Sequence, residues 1–164
     1  MIVVLMGVMG SGKTAIGTLL AGLMGVPFVD ADDHHPAANK AKMKAGEPLD
    51  DADRQPWLET LNGLMRQWYA SGSGGVLACS ALKEKYREML GAGMPAGAVR
   101  FVLLEATQEM LAARLAQRQH EYMNPDLLAS QLETLEPPKD ALVVINDRPP
   151  KEITREIFAL LRSV

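Results

Sequence analysis

Residues 7–14 read Gly-Val-Met-Gly-Ser-Gly-Lys-Thr, which is the pattern G-x-x-x-x-G-K-[ST]. The chemistry it suits is the binding of nucleotide phosphates. Glycines at 7, 10 and 12 let the backbone curl so that successive N–H groups point inward at phosphate oxygens. A helix starting near Lys13 adds the positive end of its dipole. Lys13 is placed to reach the β- and γ-phosphates, and Thr14 to offer a hydroxyl to Mg²⁺. Gly7, Gly10, Ser11, Gly12, Lys13 and Thr14 are therefore the candidate ATP contacts. Chance would place these four fixed positions in roughly one chain of this length in two hundred. The match is thus informative about nucleotide binding, though not about what receives the phosphate.

A second group of reactive side chains follows in Val29-Asp-Ala-Asp-Asp-His-His-Pro36. A carboxylate at this point can hold a magnesium-bound water or take the proton of an attacking hydroxyl. Asp32 is the candidate base and, with Thr14, a candidate Mg²⁺ contact. A zinc site is disfavoured, because His34 and His35 are adjacent and point to opposite faces of an extended segment. His120-Glu121 does not complete H-E-x-x-H, since residue 124 is Asn.

These groups need a scaffold that brings separate loops together. Apolar runs at Ile2–Met6, Pro27–Asp30, Gly75–Cys79, Val99–Leu104 and Ala141–Ile145 read as strands. They are short and do not alternate, as strands buried on both faces of a parallel sheet should be. Helical patterns are expected over Lys13–Met24, Asp53–Tyr69, Lys83–Leu90, Thr107–Arg118, Leu127–Leu135 and Lys151–Leu161. Strand and helix in alternation predict an α/β doubly wound parallel sheet, with ligands at the carboxyl ends of its strands. Residues 1–164 read as a single domain, with neither an internal repeat nor a linker.

Composition narrows the partners. A net charge of −3 argues against a broad nucleic-acid surface. An anionic substrate would instead need a local cluster of Arg and Lys. The one cysteine, Cys79, fits a reducing compartment and a buried structural role. No apolar run reaches about 18 residues, and the first one has no basic segment before it, as a secretory signal would. A soluble, cytoplasmic protein without membrane contact is the expectation. Among nucleotide-binding classes, a GTPase would need N-K-x-D, and Asn39-Lys-Ala-Lys42 has Lys where Asp is required. A motor ATPase would carry an acidic residue after the third strand, where Cys79-Ser80 stands.

Several further strings carry a family resemblance. They are Asp30-x-Asp32, His35-Pro36, Asn39, Lys42-Met43, Gly46-x-Pro-Leu49, Asp53-Arg54-x-Pro-Trp-Leu58 and Cys79-Ser-Ala-Leu-Lys83. Tyr86-Arg87, Leu127-Leu128, Ser130-Gln131 and Leu135-Glu136 continue the series. In this order, from the glycine loop nearly to the C-terminus, the chain resembles the gluconokinases, small P-loop kinases similar in fold to nucleoside-monophosphate kinases. The resemblance implies ATP- and Mg²⁺-dependent phosphorylation of D-gluconate to 6-phospho-D-gluconate, and a homodimer. Three positions depart from the family: Met9 in the loop, Glu121-Tyr122 after His120, and Ile145-Asn-Asp147, where only Asp147 keeps the family's D-x-D near the adenine.

The substrate rationalises the basic residues. Arg54 and Arg87 suit a carboxylate through paired hydrogen bonds, and Lys83 suits it as a point charge. Ser80, His35, Asp32 and Gln131 complete the expected substrate contacts. Arg114 and Arg118 stand four apart on one helix and project together. With the polar segment that follows, they resemble a mobile lid over about residues 114–130, in which Arg118 supplies charge to the transferring group and Arg114 contacts the nucleotide. A shikimate-kinase-like small-molecule kinase and a catalytically silent ATP-binding regulator are the alternatives. The first would place its glycine turn after the third strand, whereas here Gly72, Gly74 and Gly75 precede it.

Overall fold

Alternate residues of the first apolar run serve opposite faces of a sheet. Ile2, Val4 and Met6 enter one core cluster, and Val3 and Leu5 enter another. All five are essentially inaccessible to water, so this strand lies at the centre of the sheet with helices on both sides. The computed structural model describes residues 1–117 and 125–164. Its strands are β1 Ile2–Met6, β2 Phe28–Asp30, β3 Gly75–Ala78, β4 Val99–Glu105 and β5 Leu142–Ile145. They form one parallel sheet in the order β2-β3-β1-β4-β5. The doubly wound α/β expectation holds, with strand ends displaced by a residue at most.

The described helices are α1 Lys13–Met24, α2 Ala37–Lys44, α3 Asp51–Ser71, α4 Glu84–Gly91, α5 Gln108–Gln117, α6 Pro125–Thr134 and α7 Pro150–Arg162. One face of the sheet packs on α1 and α7 through Ile16, Leu20, Ile153 and Ile157. The other packs on α3 and α4 through Leu61, Met65, Trp68 and Leu90. Each such fully buried aliphatic side chain contributes about 1.5–3 kcal/mol. At Gly75 the fit is close enough to fix the residue type, because a β-carbon there would lie 2.4 Å from Cε3 of Trp68.

Two departures from the sequence expectation lie beside the site. Helix α3 starts at Asp51, two residues early, because Asp50 and Asp53 form a reciprocal capping box. The segment after β2 is more than an acidic turn, since a 3₁₀ turn at Ala31–His34 leads into α2. Helix α2 has no apolar stripe, and Asn39 is its one buried residue, so periodicity could not reveal it. Among the described residues, no helix is long and apolar enough to cross a membrane.

Candidate active site

The carboxyl ends of β1, β2, β3 and β5 converge on the glycine loop. Leaving β1, Gly7 takes φ +143° and donates its N–H to Ser80 O at 3.2 Å, which ties the loop to the segment after β3. Gly12 adopts φ +96° where α1 begins. A β-carbon there would fall 2.3 Å from Nδ2 of Asn146, so only glycine fits. Lys13 folds back across the loop and donates from Nζ to Gly7 O and Val8 O, each at 2.9 Å. Ser11 is fully buried, and its Oγ has no hydrogen-bond partner among the described residues.

Three side chains brace this loop from outside. Asn146, at the end of β5, donates from Nδ2 to Ser11 O at 2.8 Å. Arg114 on α5 donates to Gly10 O at 3.1 Å and to Asn146 O at 2.6 Å. Gln131 on α6 accepts from Met9 N at 2.7 Å. Arg114, expected to contact the nucleotide, lies at the glycine loop with its guanidinium engaged on carbonyls. Gln131, expected at the substrate, is instead a buttress of the loop. Asn146 stands between Ile145, where the chain departs from the family's D-x-D, and Asp147, which keeps it, and the sequence pattern attaches no role to this middle position.

The acids after β2 divide the work. Asp30 accepts the Thr14 hydroxyl at 2.8 Å on Oδ2 and the Asp32 amide at 3.0 Å on Oδ1. It is Asp30, not Asp32, that meets Thr14. The Asp32 side chain is 84% exposed. Its carboxyl is nonetheless held above the ordinary carboxylate range, by the surrounding protein first and then by the Asp30 charge, while Lys13 opposes the shift. Protein surrounds the carboxyl at longer range while water reaches it directly, and the Asp30 charge beside it acts in the same direction.

His35 is buried and stacks on Trp57, with ring centroids 4.2 Å apart and 15° between planes. Trp57 in turn donates from Nε1 to Ala31 O at 2.7 Å, so α3 holds the turn that carries the acids. Asn39 lies 3.3 Å from His35 Nδ1 and donates to Asp53 O at 2.9 Å. An amide donor at Nδ1 leaves the proton on Nε2, which faces Asp32 Oδ1 at 3.8 Å, beyond hydrogen-bond range. Burial, then the charges of Arg54 and Lys40, push the imidazole down to about 4, so it is neutral at pH 7.

Around α3 and the start of α4, three cations surround one phenol. Arg54 and Lys83 lie 5.5 and 5.6 Å from the centroid of the Tyr86 ring, and Lys85 lies 5.9 Å away. Arg54 also donates to Leu49 O at 2.6 Å. Asp51 accepts from Lys83 at 3.3 Å and also from Lys85 and Tyr86. Those hydrogen bonds, led by the one from Lys85, hold its carboxyl well below the usual range.

Arg87 does not join the cluster. It is buried, and it donates to Ala81 O at 2.8 Å, Leu82 O at 3.2 Å and Glu136 O at 2.9 Å. A guanidinium committed to three main-chain carbonyls is a staple, and the expected pairing of Arg87 with Arg54 on a substrate carboxylate gives way to that role. Ala81, next to Ser80, has φ +45°, the one positive φ at a non-glycine residue among those described. Such a conformation costs an alanine about 1–2 kcal/mol.

Asp147 is exposed and pairs with Arg148 at 3.2 Å. Arg118 and residues 119–124 of the expected lid lie outside the described residues. Cys79 is fully buried, and burial pushes its thiol up to about 12, which is the inert structural role.

A parallel 2-3-1-4-5 sheet, a glycine loop after its first strand and a carboxylate bonded to the loop's threonine together define a P-loop kinase. The shikimate kinase family model matches residues 9–162. The gluconokinase of Gluconobacter oxydans (strain 621H) is 46% identical over 143 residues, covering 87% of this chain and 79% of that protein. The thermosensitive gluconokinase of Escherichia coli (strain K12) is 46% identical over 136 residues, covering 83% and 72%. The crystal structure of a gluconokinase from Sinorhizobium meliloti 1021 superposes with a TM-score of 0.88 at 40% identity, covering 99% of this chain and 91% of that one. The chain belongs to the gluconokinase family of P-loop kinases, within the wider group that the shikimate kinase model describes.

Proposed function

We propose that this chain transfers the terminal phosphoryl group of ATP to the primary hydroxyl of D-gluconate, giving 6-phospho-D-gluconate. One observation carries the chemistry. The acidic turn after β2 stands between the phosphate loop and a cationic cluster, so that Asp32 feels the charge of Lys13 and His35 feels that of Arg54. A polyol with a carboxylate at its far end matches that order of groups.

The loop amides and Lys13 hold the phosphates, and Lys13 exchanges its carbonyl partners for phosphate oxygens. The donor set fits a hard cation bound largely through phosphate and water, with Thr14 as a ligand and Asp30 or Asp32 beside it. When bound, Mg²⁺ supplies positive charge against the phosphate oxygens. Arg54 and Lys83 bind the gluconate carboxylate, and Ser80 and His35 orient hydroxyls. Asp32, with its raised proton affinity, accepts the proton of the attacking hydroxyl. Arg114 steadies the loop, and Arg118 adds charge from a lid over about 114–130 that closes during transfer. The same reading takes the protein as a cytoplasmic homodimer, which light scattering in solution would test.

A coupled ADP-release assay with ATP and Mg²⁺ tests the proposal, with gluconate, shikimate, glycerate and nucleoside monophosphates offered in parallel. Turnover on gluconate alone is expected. Turnover on another acceptor would replace the substrate assignment, and ATP binding with no turnover at all would point to a regulator.

A further inference from the structure

The segment Ser80–Lys83 runs under the proposed acceptor site, yet its conformation is not self-supporting. Ala81 sits at φ +45°, a conformation that persists only where surrounding contacts impose it. Helix α4, which starts directly after this segment, has no side-chain cap of its own at Lys83.

Both deficits are met from one place, the residue that follows α6 and Leu135. Glu136 accepts from Glu84 N on its Oε1 at 2.9 Å, which caps α4 from 52 residues away in sequence. Its main-chain N–H donates to Leu82 O at 2.8 Å. Its carbonyl accepts from Arg87, whose other amino group holds Ala81 O and Leu82 O. The carbonyls of Ala81, which is strained, and of Leu82 are thereby fixed, and Ser80 O before them accepts from Gly7 of the phosphate loop.

We propose that Glu136 and Arg87 are positioning residues that lock the Ser80–Lys83 loop in its strained conformation and so present Ser80 and Lys83 to the acceptor substrate. The inference rests on the gluconate reading given above. Gln131, five residues before Glu136, bonds the phosphate loop at Met9. The end of α6 therefore sets the register of the ATP loop with one residue and of the acceptor loop with another.

The test is steady-state kinetics of the full-length protein, with both KM values measured. Glu136 is exposed, so Glu136→Ala is expected to fold. It should raise the gluconate KM about five- to tenfold, as expected for a lost hydrogen bond, with the ATP KM within about twofold of wild type. Glu136→Gln keeps an acceptor oxygen for Glu84 N and should restore the gluconate KM. Ala81→Gly removes the conformational cost, so adding it to Glu136→Ala should recover part of the loss. Arg87→Lys, which cannot span both carbonyl sets, should reproduce the gluconate defect. A Glu136→Ala protein with an unchanged gluconate KM would overturn the inference, as would equal rises in both KM values. A wild-type protein that does not phosphorylate gluconate would overturn the functional reading first, and this inference with it.

Discussion

Asp32 Oδ1 lies 3.8 Å from Nε2 of His35, yet neither group is drawn towards its charged form. The acid is held above the ordinary carboxylate range and the imidazole is pushed down to about 4. For each, the surrounding protein and like charges, Asp30 beside the acid and Arg54 and Lys40 beside the imidazole, outweigh the attraction between them. The pair is arranged to keep a proton-hungry carboxylate next to a neutral N–H donor.

Asp32→Asn should therefore separate activity from stability. Loss of the base should lower kcat by about 10²–10⁴-fold, with a much smaller change in gluconate KM. The folded-state pKa of Asp32 lies above the ordinary 3.8, so the native state binds the proton more tightly than the unfolded chain. Stability is then full below pH 3.8 and is lost as pH rises through the raised value. Melting temperatures across pH should show Asn gaining on wild type as pH rises from 3.8 through the raised value, with the gain constant above it. A kcat that holds while only KM rises would remove Asp32 as the base.

The acid limb of the wild-type kcat/KM profile should lie above pH 3.8 for the same reason. Asp30→Asn removes a charge that raises Asp32 and should move that limb to lower pH. Asp30 also accepts the Thr14 hydroxyl, so the same variant should need more Mg²⁺ for half-maximal rate. Kinetics at several Mg²⁺ concentrations separate the two effects, and an unchanged Mg²⁺ dependence would detach Asp30 from the metal.

His35 gives the opposite slope. Its imidazole falls from 6.5 unfolded to about 4 folded, so between these values the unfolded state binds the extra proton. Stability should be full above pH 6.5 and should decline as pH falls towards 4. His35→Gln should flatten that part of a stability profile measured by urea unfolding. A wild-type slope unaltered in the variant would place the acid sensitivity elsewhere.

Much of this site could be read from the residues before any geometry. The strands and the loop were legible because an apolar run, three glycines and a Lys-Thr pair obey local rules. Helix spacing gave the shared face of Arg114 and Arg118, while a place for Arg114 beside the nucleotide came from the family resemblance. Residues whose function depends on long-range partners were not legible. Arg87 looked like a substrate ligand beside Lys83, but its partners are carbonyls at 81, 82 and 136. Gln131 met Met9 N, 122 residues away in sequence, rather than substrate. Asn146 occupies the unconstrained middle position of the family's D-x-D and carries no period or motif, yet it bonds Ser11 O inside the loop. Helix α2 escaped notice because it buries Asn39 rather than an apolar stripe.

Lys13→Ala should abolish most turnover, by about 10²–10³-fold as for other preorganised charges at a transferring group. The fold should survive, since the Lys13 amine donates to two carbonyls of the loop itself. Circular dichroism beside the ADP-release assay checks both halves. A normal rate would take the loop out of the reaction.

Arg54 offers the sharpest check on the acceptor, because its effect should depend on the acceptor's charge. Its guanidinium is anchored by Leu49 O at 2.6 Å and lies near Tyr86, so it is already oriented. Asp51 engages Lys83 and Lys85 but is not bonded to Arg54, which leaves Arg54 the cation of this cluster least committed to a carboxylate. Arg54→Ala should raise the gluconate KM by about 10–100-fold, the range for a lost charge-assisted hydrogen bond, with kcat within a few-fold. A neutral polyol of the same length, a poorer acceptor for the wild type, should lose little from the same change because it has no carboxylate to pair. Equal losses on the charged and neutral acceptors would mean that Arg54 supports the pocket rather than reading the carboxylate. Lys83 would then be the remaining candidate for that contact.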